Sequence, residues 1–208
     1  DVLPQQRQAT DAGYAAVDTM LADMSDAIAQ VFAGHVATLS QDEARISAMR
    51  SRIDAGNVSV DEMAGVYTST IHHLLAALEN IEGFTRTGEM SQRVEAYIAI
   101  MEAKESAGVE RAMGASGFTS GVFSEEVYAR MLSLQGSQET EFSIFKRLAT
   151  PHLADQFDTI LDASVTGPVE ALRLVARSAP FGGNVRTVSG PEWFAASTAR
   201  IEALHEVE

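Results

Sequence analysis

Positions with helical spacing run unbroken through the first part of this chain. Leu3, Arg7, Thr10, Tyr14, Val17, Leu21, Met24, Ile28 and Val31 step by four and three, which puts them on one helical stripe and makes that stripe the seam of a packed bundle. Arg7 and Thr10 are its only polar members. A second seam follows Val60, Met63, Tyr67, Ile71, Leu74, Leu78 and Ile81, and a third follows Val127, Met131, Leu134, Gln138, Phe142 and Phe145. Alternation of period two is nearly absent. The expected fold is therefore all-α, an antiparallel bundle of seven or eight helices, read as two four-helix-type bundles sharing long helices.

Local punctuation divides the helices. Ser40-x-x-Glu43 and Ser59-x-x-Glu62 both read as capping boxes, with Gly56-Asn57 as the turn between the helices they start. Arg86-Thr87-Gly88 closes one helix and opens the next, and the small-residue stretch from Gly114 to Gly121 reads as a break. Ser124, followed by Glu125 and Glu126, caps another helix with acids at its positive end. Prolines after Thr150, Gly167 and Gly190 mark three helix starts, since the missing N–H costs nothing in a first turn. Residues 179–189, with Pro180 and Gly182-Gly183, form the one clear loop, and the final helix begins near Trp193.

With 46% apolar and 21% charged residues the 208-residue chain has the composition of a globular protein with a sizeable core. No apolar run approaches the length of a membrane span. Asp1, not Met, opens the chain, so a processed or excised piece is expected. Cysteine is absent, which excludes disulfides, thiolate metal sites and a Cys nucleophile. The net charge of −14 argues against nucleic acid and against docking on anionic lipid, so no direct membrane contact is expected. His72 and His73 are adjacent and point apart on a helix, so they do not form a metal-chelating pair. Metal and cofactor are both expected to be absent.

Between Met90 and Phe118 the helical pattern places Tyr97, Lys104 and Arg111 at intervals of seven, on one face bordered by Met101 and Gly108. A guanidinium on such a stripe needs a negative partner, either a protein carboxylate or an anion from outside. Arg111 can equally lie along the surface, with its head in water or beside an acid. Arg7 lies on its own seam and Arg173 falls between Leu172 and Leu174 in a helix; for Arg7 an ion pair with an acid on a neighbouring helix is the competing account. Two planar guanidinia can grip a planar oxyanion such as nitrate edge-on, which lysine does less well. Thr10, Tyr67 and Thr68 could add neutral hydrogen bonds.

Three stretches carry a family resemblance. KESAGVERAMGASGF at 104–118, with SGVF following, is similar to the central motif of the NIT family, the nitrate- and nitrite-sensing domains of bacterial receptors and regulators. LPQQRQATDAGY at 3–14 resembles that family's "QR, then TD" element, and RIDAGNVSVDEMAGVYTSTIHHLLAAL at 52–78 resembles its passage of Arg, short Gly turn, Tyr-Thr and Leu-rich helix. One element is missing: the family's leading helix with a Gln-x-Glu-Arg-Gly sequence has no counterpart here.

The resemblance implies a single sensor domain over residues 1–208 without that leading helix. It implies a non-enzymatic module that binds nitrate or nitrite through arginines from separate helices. Arg111 occupies the arginine of the central motif and Arg7 that of the "QR" element; Gly108, Thr10, Tyr67 and, with no motif behind it, Arg173 complete the expected ligand set. Residues 191–208 resemble the stretch by which receptor sensor domains run toward a second membrane segment. This implies the periplasmic portion of an inner-membrane receptor of the chemotaxis type, homodimeric through its parent, with a cytoplasmic setting as the alternative. Signalling is expected through displacement of the arginine-bearing helices toward an attached output domain. The rival expectations are a dimerising stalk with no ligand, or a sensor of another small anion.

Overall fold

A computed structural model describes residues 2–82 and 88–207. It holds eight α-helices and two 3₁₀ turns among those residues: α1 (Val2–Ala22), α2 (Asp26–Asp54), α3 (Val60–Glu82), α4 (Gly88–Ser120), α5 (Glu125–Leu148), α6 (Pro151–Ile160), α7 (Ala163–Ser178) and α8 (Gly190–Val207). No strand occurs among the described residues, and the all-α helical bundle is the fold. The chain divides into two compact units, Asp1–Ala77 and Leu78–Glu208.

In the first unit polar pairs show the register. Arg7 on α1 meets Asp54 on α2, and Asp11 meets Arg50, so the two helices run antiparallel. Arg52 meets Glu62, and Asp42 meets His73, which sets α3 antiparallel to α2. Phe32, Ile46, Met49 and Leu75 are buried here. The α2 terminus is built from sequence-local signals: Gly56, at φ +65°, donates its N–H to the Ile53 carbonyl and Asn57 donates to that of Arg52, the pairing of a Schellman stop. The expected box follows, Glu62 N–H donating to Ser59 Oγ at 3.2 Å and Ser59 N–H to Glu62 Oε2 at 3.0 Å.

The second unit is organised on α4, which packs against α5 and α8, while α6 and α7 also pack on α8. Its buried face is small: Ala96, Ala99, Ala103, Ala107, Gly114 and Gly117. Small residues let neighbouring helices come close. One apolar cluster gathers Ile100, Ala107, Phe145, Phe157, Leu204 and Val207; another gathers Phe118, Met131, Val169, Ala176, Val185 and Trp193. Each large side chain so buried contributes about 1.5–3 kcal/mol.

Several boundaries differ from expectation. The long first seam is interrupted after Ala22 and resumes at Asp26. Ser40 starts nothing; it lies within α2 and its hydroxyl donates to the Val36 carbonyl, because no residue before it stops the helix. Helix α4 runs through the expected break as far as Ser120, since its glycines answer a packing need. A Cβ at Gly114 would stand 2.3 Å from the Trp193 ring, and one at Gly117 2.4 Å from that of Phe123. Pro168 falls inside α7, whose start is fixed earlier by the Asp162 carboxylate accepting from Ser164 N–H and Val165 N–H. Helix α8 opens at Gly190, with Ser189 Oγ accepting from Glu192 N–H. Ser124 caps α5 as expected, and α6 starts after Thr150 as the proline predicts, with the Thr150 hydroxyl accepting from Leu153 N–H. Arg86 and Thr87 lie outside the described residues.

Candidate anion site

The small-residue face of α4 carries one charge. Glu110 steps in register with Ala103, Ala107, Gly114 and Gly117, and is 2% exposed. It lies between the two apolar clusters in sequence, and so do Gln135 and Gln138 on α5. Its carboxylate accepts from Gln135 Nε2 at 2.8 Å and Gln138 Nε2 at 2.9 Å, both on α5. From α7, Arg173 donates Nε to Oε1 at 2.8 Å and Nη2 to Oε2. Buried carboxylates need such saturation, because desolvation otherwise exceeds any gain.

Arg173 is committed on every side, its Nη1 to Glu170 and its Nη2 also to Gln138 Oε1 at 2.9 Å. Burial pulls its pKa down, but the hydrogen-bonded Glu110 carboxylate and then Glu170 outweigh this, and the net direction is upward. Arg200, on α8, has the opposite situation. It is 6% exposed, its Nη1 donates to neutral Gln138 Oε1 at 2.6 Å, and its Cζ stands 5.5 Å from the Phe142 ring centroid. Among the described residues no carboxylate pairs with it. Burial, and next the charge of Arg173, push its pKa down to about 10.

One turn before Arg200 on the same face of α8, Ser197 is 5% exposed and its hydroxyl has no hydrogen-bond partner among the described residues. Trp193, Ser197, Arg200, Leu204 and Val207 step by four and three along this buried face.

Arg111 stands on the flank of α4. Its Nη1 donates to Thr198 Oγ1 at 2.9 Å, its Cζ lies 4.7 Å from the Phe194 ring centroid, and its own carbonyl accepts from Trp193 Nε1 at 2.9 Å. No carboxylate is within ion-pairing distance among the described residues. Half-burial lowers its pKa, and only the more distant charge of Glu202 opposes this.

The remaining expected residues are placed as follows. Arg7 is held bidentate by Asp54, Nη1 to Oδ2 at 2.9 Å and Nη2 to Oδ1 at 2.8 Å, in an exposed pair. Thr10 donates its hydroxyl to the Gln6 carbonyl. Tyr67 is half-buried. These three belong to the first unit; Gly108, Arg111 and Arg173 belong to the second. Gly108 faces open space, with nothing within 4 Å of where a Cβ would stand.

Sequence reasoning did not single out Glu110, Gln135, Ser197 or Arg200, and it took Gln138 as an ordinary seam member. The signal existed. Glu110 and Arg200 occupy seam positions of α4 and α8, where a charged residue has the same claim to a partner as the one made for Arg111.

An all-helical module that buries a carboxylate and two guanidinia between its helices is the class that this fold and layer define. The chain belongs to the NIT family, nitrate and nitrite sensing, whose model matches residues 1–208. The nitrate regulatory protein of Klebsiella oxytoca is 31% identical over 166 residues, which are 79% of this chain and 41% of that protein. The structure of the NasR transcription antiterminator aligns with a TM-score of 0.78 and 30% identity, covering 93% of this chain and 51% of that chain. The chain thus spans about half, or less, of these relatives' length.

Proposed function

We propose that this chain is the nitrate- or nitrite-binding input module of a larger regulator, and that the anion is received against α8 by Arg200 and Arg111, with Ser197 donating its hydroxyl. The observation that carries the reading is Arg200: a guanidinium 6% exposed with a neutral amide as its hydrogen-bond partner. A desolvated cation in that position gains from a diffusible anion what Arg173 already gains from Glu110. The flat three-oxygen edge of nitrate suits a planar guanidinium fork.

Helices α4 and α8 pack against each other, and each supplies one of the two arginines. Closure of both on one anion shifts α8 relative to α4. The ligand can move that equilibrium only by its difference in affinity for the two states, on the scale of about 1–3 kcal/mol. No catalytic chemistry is assigned to the layer. The two relatives are named as regulators, one of them an antiterminator, which supports a regulatory output. The membrane-receptor setting rests on the C-terminal stretch alone; no helix among the described residues is long and apolar enough to cross a membrane.

Calorimetric titration with nitrate, nitrite and chloride tests this. Binding of nitrate or nitrite in preference to chloride, lost in Arg200→Met and in Arg111→Ala, is expected. Retention of full affinity in both variants would sink the placement on α8. The same titration on Arg7→Ala measures whether Arg7, released from Asp54, takes any part.

A further inference from the structure

We infer that Gln138 is a positioning residue of the anion site: its side-chain amide holds one end of the Arg200 guanidinium and leaves the side-on edge of that group to the ligand. This rests on the placement of the anion at Arg200 proposed above.

Gln138 is 1% exposed on α5, and every hydrogen-bonding position of its amide is used. Oε1 accepts from Arg173 Nη2 at 2.9 Å and from Arg200 Nη1 at 2.6 Å, while Nε2 donates to Glu110 Oε2 at 2.9 Å and to the Leu134 carbonyl at 3.1 Å. An amide has two lone pairs and two N–H groups to give, and no more. These partners also fix which way it points. Turned over, the amide would set its N–H groups against two guanidinia and its oxygen against a carboxylate and a carbonyl. Gln138 Oε1 is therefore a stationary acceptor, and Arg200 is moored to it.

One turn further along α5, the Phe142 ring centroid stands 5.5 Å from Arg200 Cζ and limits rotation about that mooring. The nitrogen spent on Gln138 is Nη1. Nε and Nη2, which meet no acceptor among the described residues, form the side-on edge that takes two oxygens of one oxyanion. Arg173 shows the use of that edge, since it spends the same two nitrogens on Glu110. Because the amide is neutral, it orients Arg200 without discharging it, as a carboxylate in its place would. A guanidinium ordered beforehand has no rotamer freedom left to lose when the ligand arrives.

Gln135 supplies the control. It too is a buried amide of α5 that donates to Glu110, at 2.8 Å, but its oxygen accepts from Arg177 and it has no bond to Arg200. Wild type, Gln138→Met and Gln135→Met are compared as the whole chain, each shown by circular dichroism to melt cooperatively. Nitrogen-15 NMR without anion reads the Arg200 guanidinium, assigned by its loss in Arg200→Lys. Separate, slowly rotating Nη–H signals are expected in wild type and Gln135→Met, and one averaged signal in Gln138→Met. Calorimetry with nitrate is expected to show at least a tenfold weaker affinity in Gln138→Met and a loss under about threefold in Gln135→Met. Gln138→Asn, which withdraws the acceptor by one methylene, carries the same expectation should Gln138→Met not melt cooperatively. An averaged Arg200 signal in the wild type, unchanged nitrate affinity in the Gln138 variant, or an equal loss in Gln135→Met would overturn the inference alone. A wild type that does not bind nitrate, or binds it no better than Arg200→Met, would overturn the placement at Arg200 and this inference together.

Discussion

Arg173 closes on Glu110 with two nitrogens, Nε onto Oε1 at 2.8 Å and Nη2 onto Oε2, across 63 residues of sequence. The pair fastens α7 to α4 within a buried polar network that also takes in Gln135 and Gln138 of α5 and Arg200 of α8. Removing one partner strands the other, so Arg173→Met is expected to destabilise the fold by about 3–5 kcal/mol, as for other buried pairs broken on one side. Chemical denaturation measures this. A loss under about 1 kcal/mol would mean that the layer relaxes to admit water.

Gly114 and Trp193 make a second dependence. Trp193 is fully buried, and its ring lies where a Cβ at Gly114 would be, at 2.3 Å. Gly114→Ala must push α8 away from α4 or turn the indole out of its place against the Arg111 carbonyl. Overpacking of this kind costs about 1–3 kcal/mol. As the chain has one tryptophan, its fluorescence reports the change directly, and a red-shifted emission with a lowered melting temperature is expected.

How much of this could be read beforehand follows the range of each interaction. Ser59–Glu62, Ser124 and Thr150-Pro151 were legible because a cap is settled within three residues. Ser40-x-x-Glu43 has the same letters but follows no Gly56-like stop, so α2 runs straight through it. Gly114 and Gly117 were mistaken for a break, since what they accommodate, the rings of Trp193 and Phe123, becomes visible only once helices are packed. The charged layer was half legible. Glu110 and Arg200 keep seam register, yet which arginine Glu110 would neutralise depends on contacts between distant helices. Arg173 received the carboxylate, and Arg200 was left with an amide.

The capping box gives a pH-dependent prediction. Hydrogen bonds from the Ser59 backbone, and then the Arg52 guanidinium, hold the Glu62 carboxyl down at about 2, against 4.5 ordinarily. A carboxyl whose folded pKa is depressed adds stability above its unfolded pKa and loses it as pH falls through the folded value. The stability of the wild type relative to Glu62→Gln is therefore expected to be constant above about pH 5 and to shrink between there and pH 2. Paired thermal melts across that range check it. A difference that stays flat down to pH 2 would show that Glu62 acts as a neutral hydrogen-bond acceptor.

Arg111 separates binding from stability. It has a hydroxyl, a ring face and no carboxylate, so its removal orphans no buried acid; Thr198 is left half-buried and able to find water. Arg111→Met keeps the apolar stem over Phe194 and deletes the charge. Stability is expected to change by less than about 1 kcal/mol, the net worth of one hydrogen bond with a neutral partner. Nitrate affinity is expected to fall at least tenfold, because the guanidinium is one of the two that the ligand is proposed to meet. Denaturation and titration of the same sample check both. A large loss of stability with unchanged affinity would make Arg111 a packing residue of the α4–α8 interface and leave the anion to Arg200.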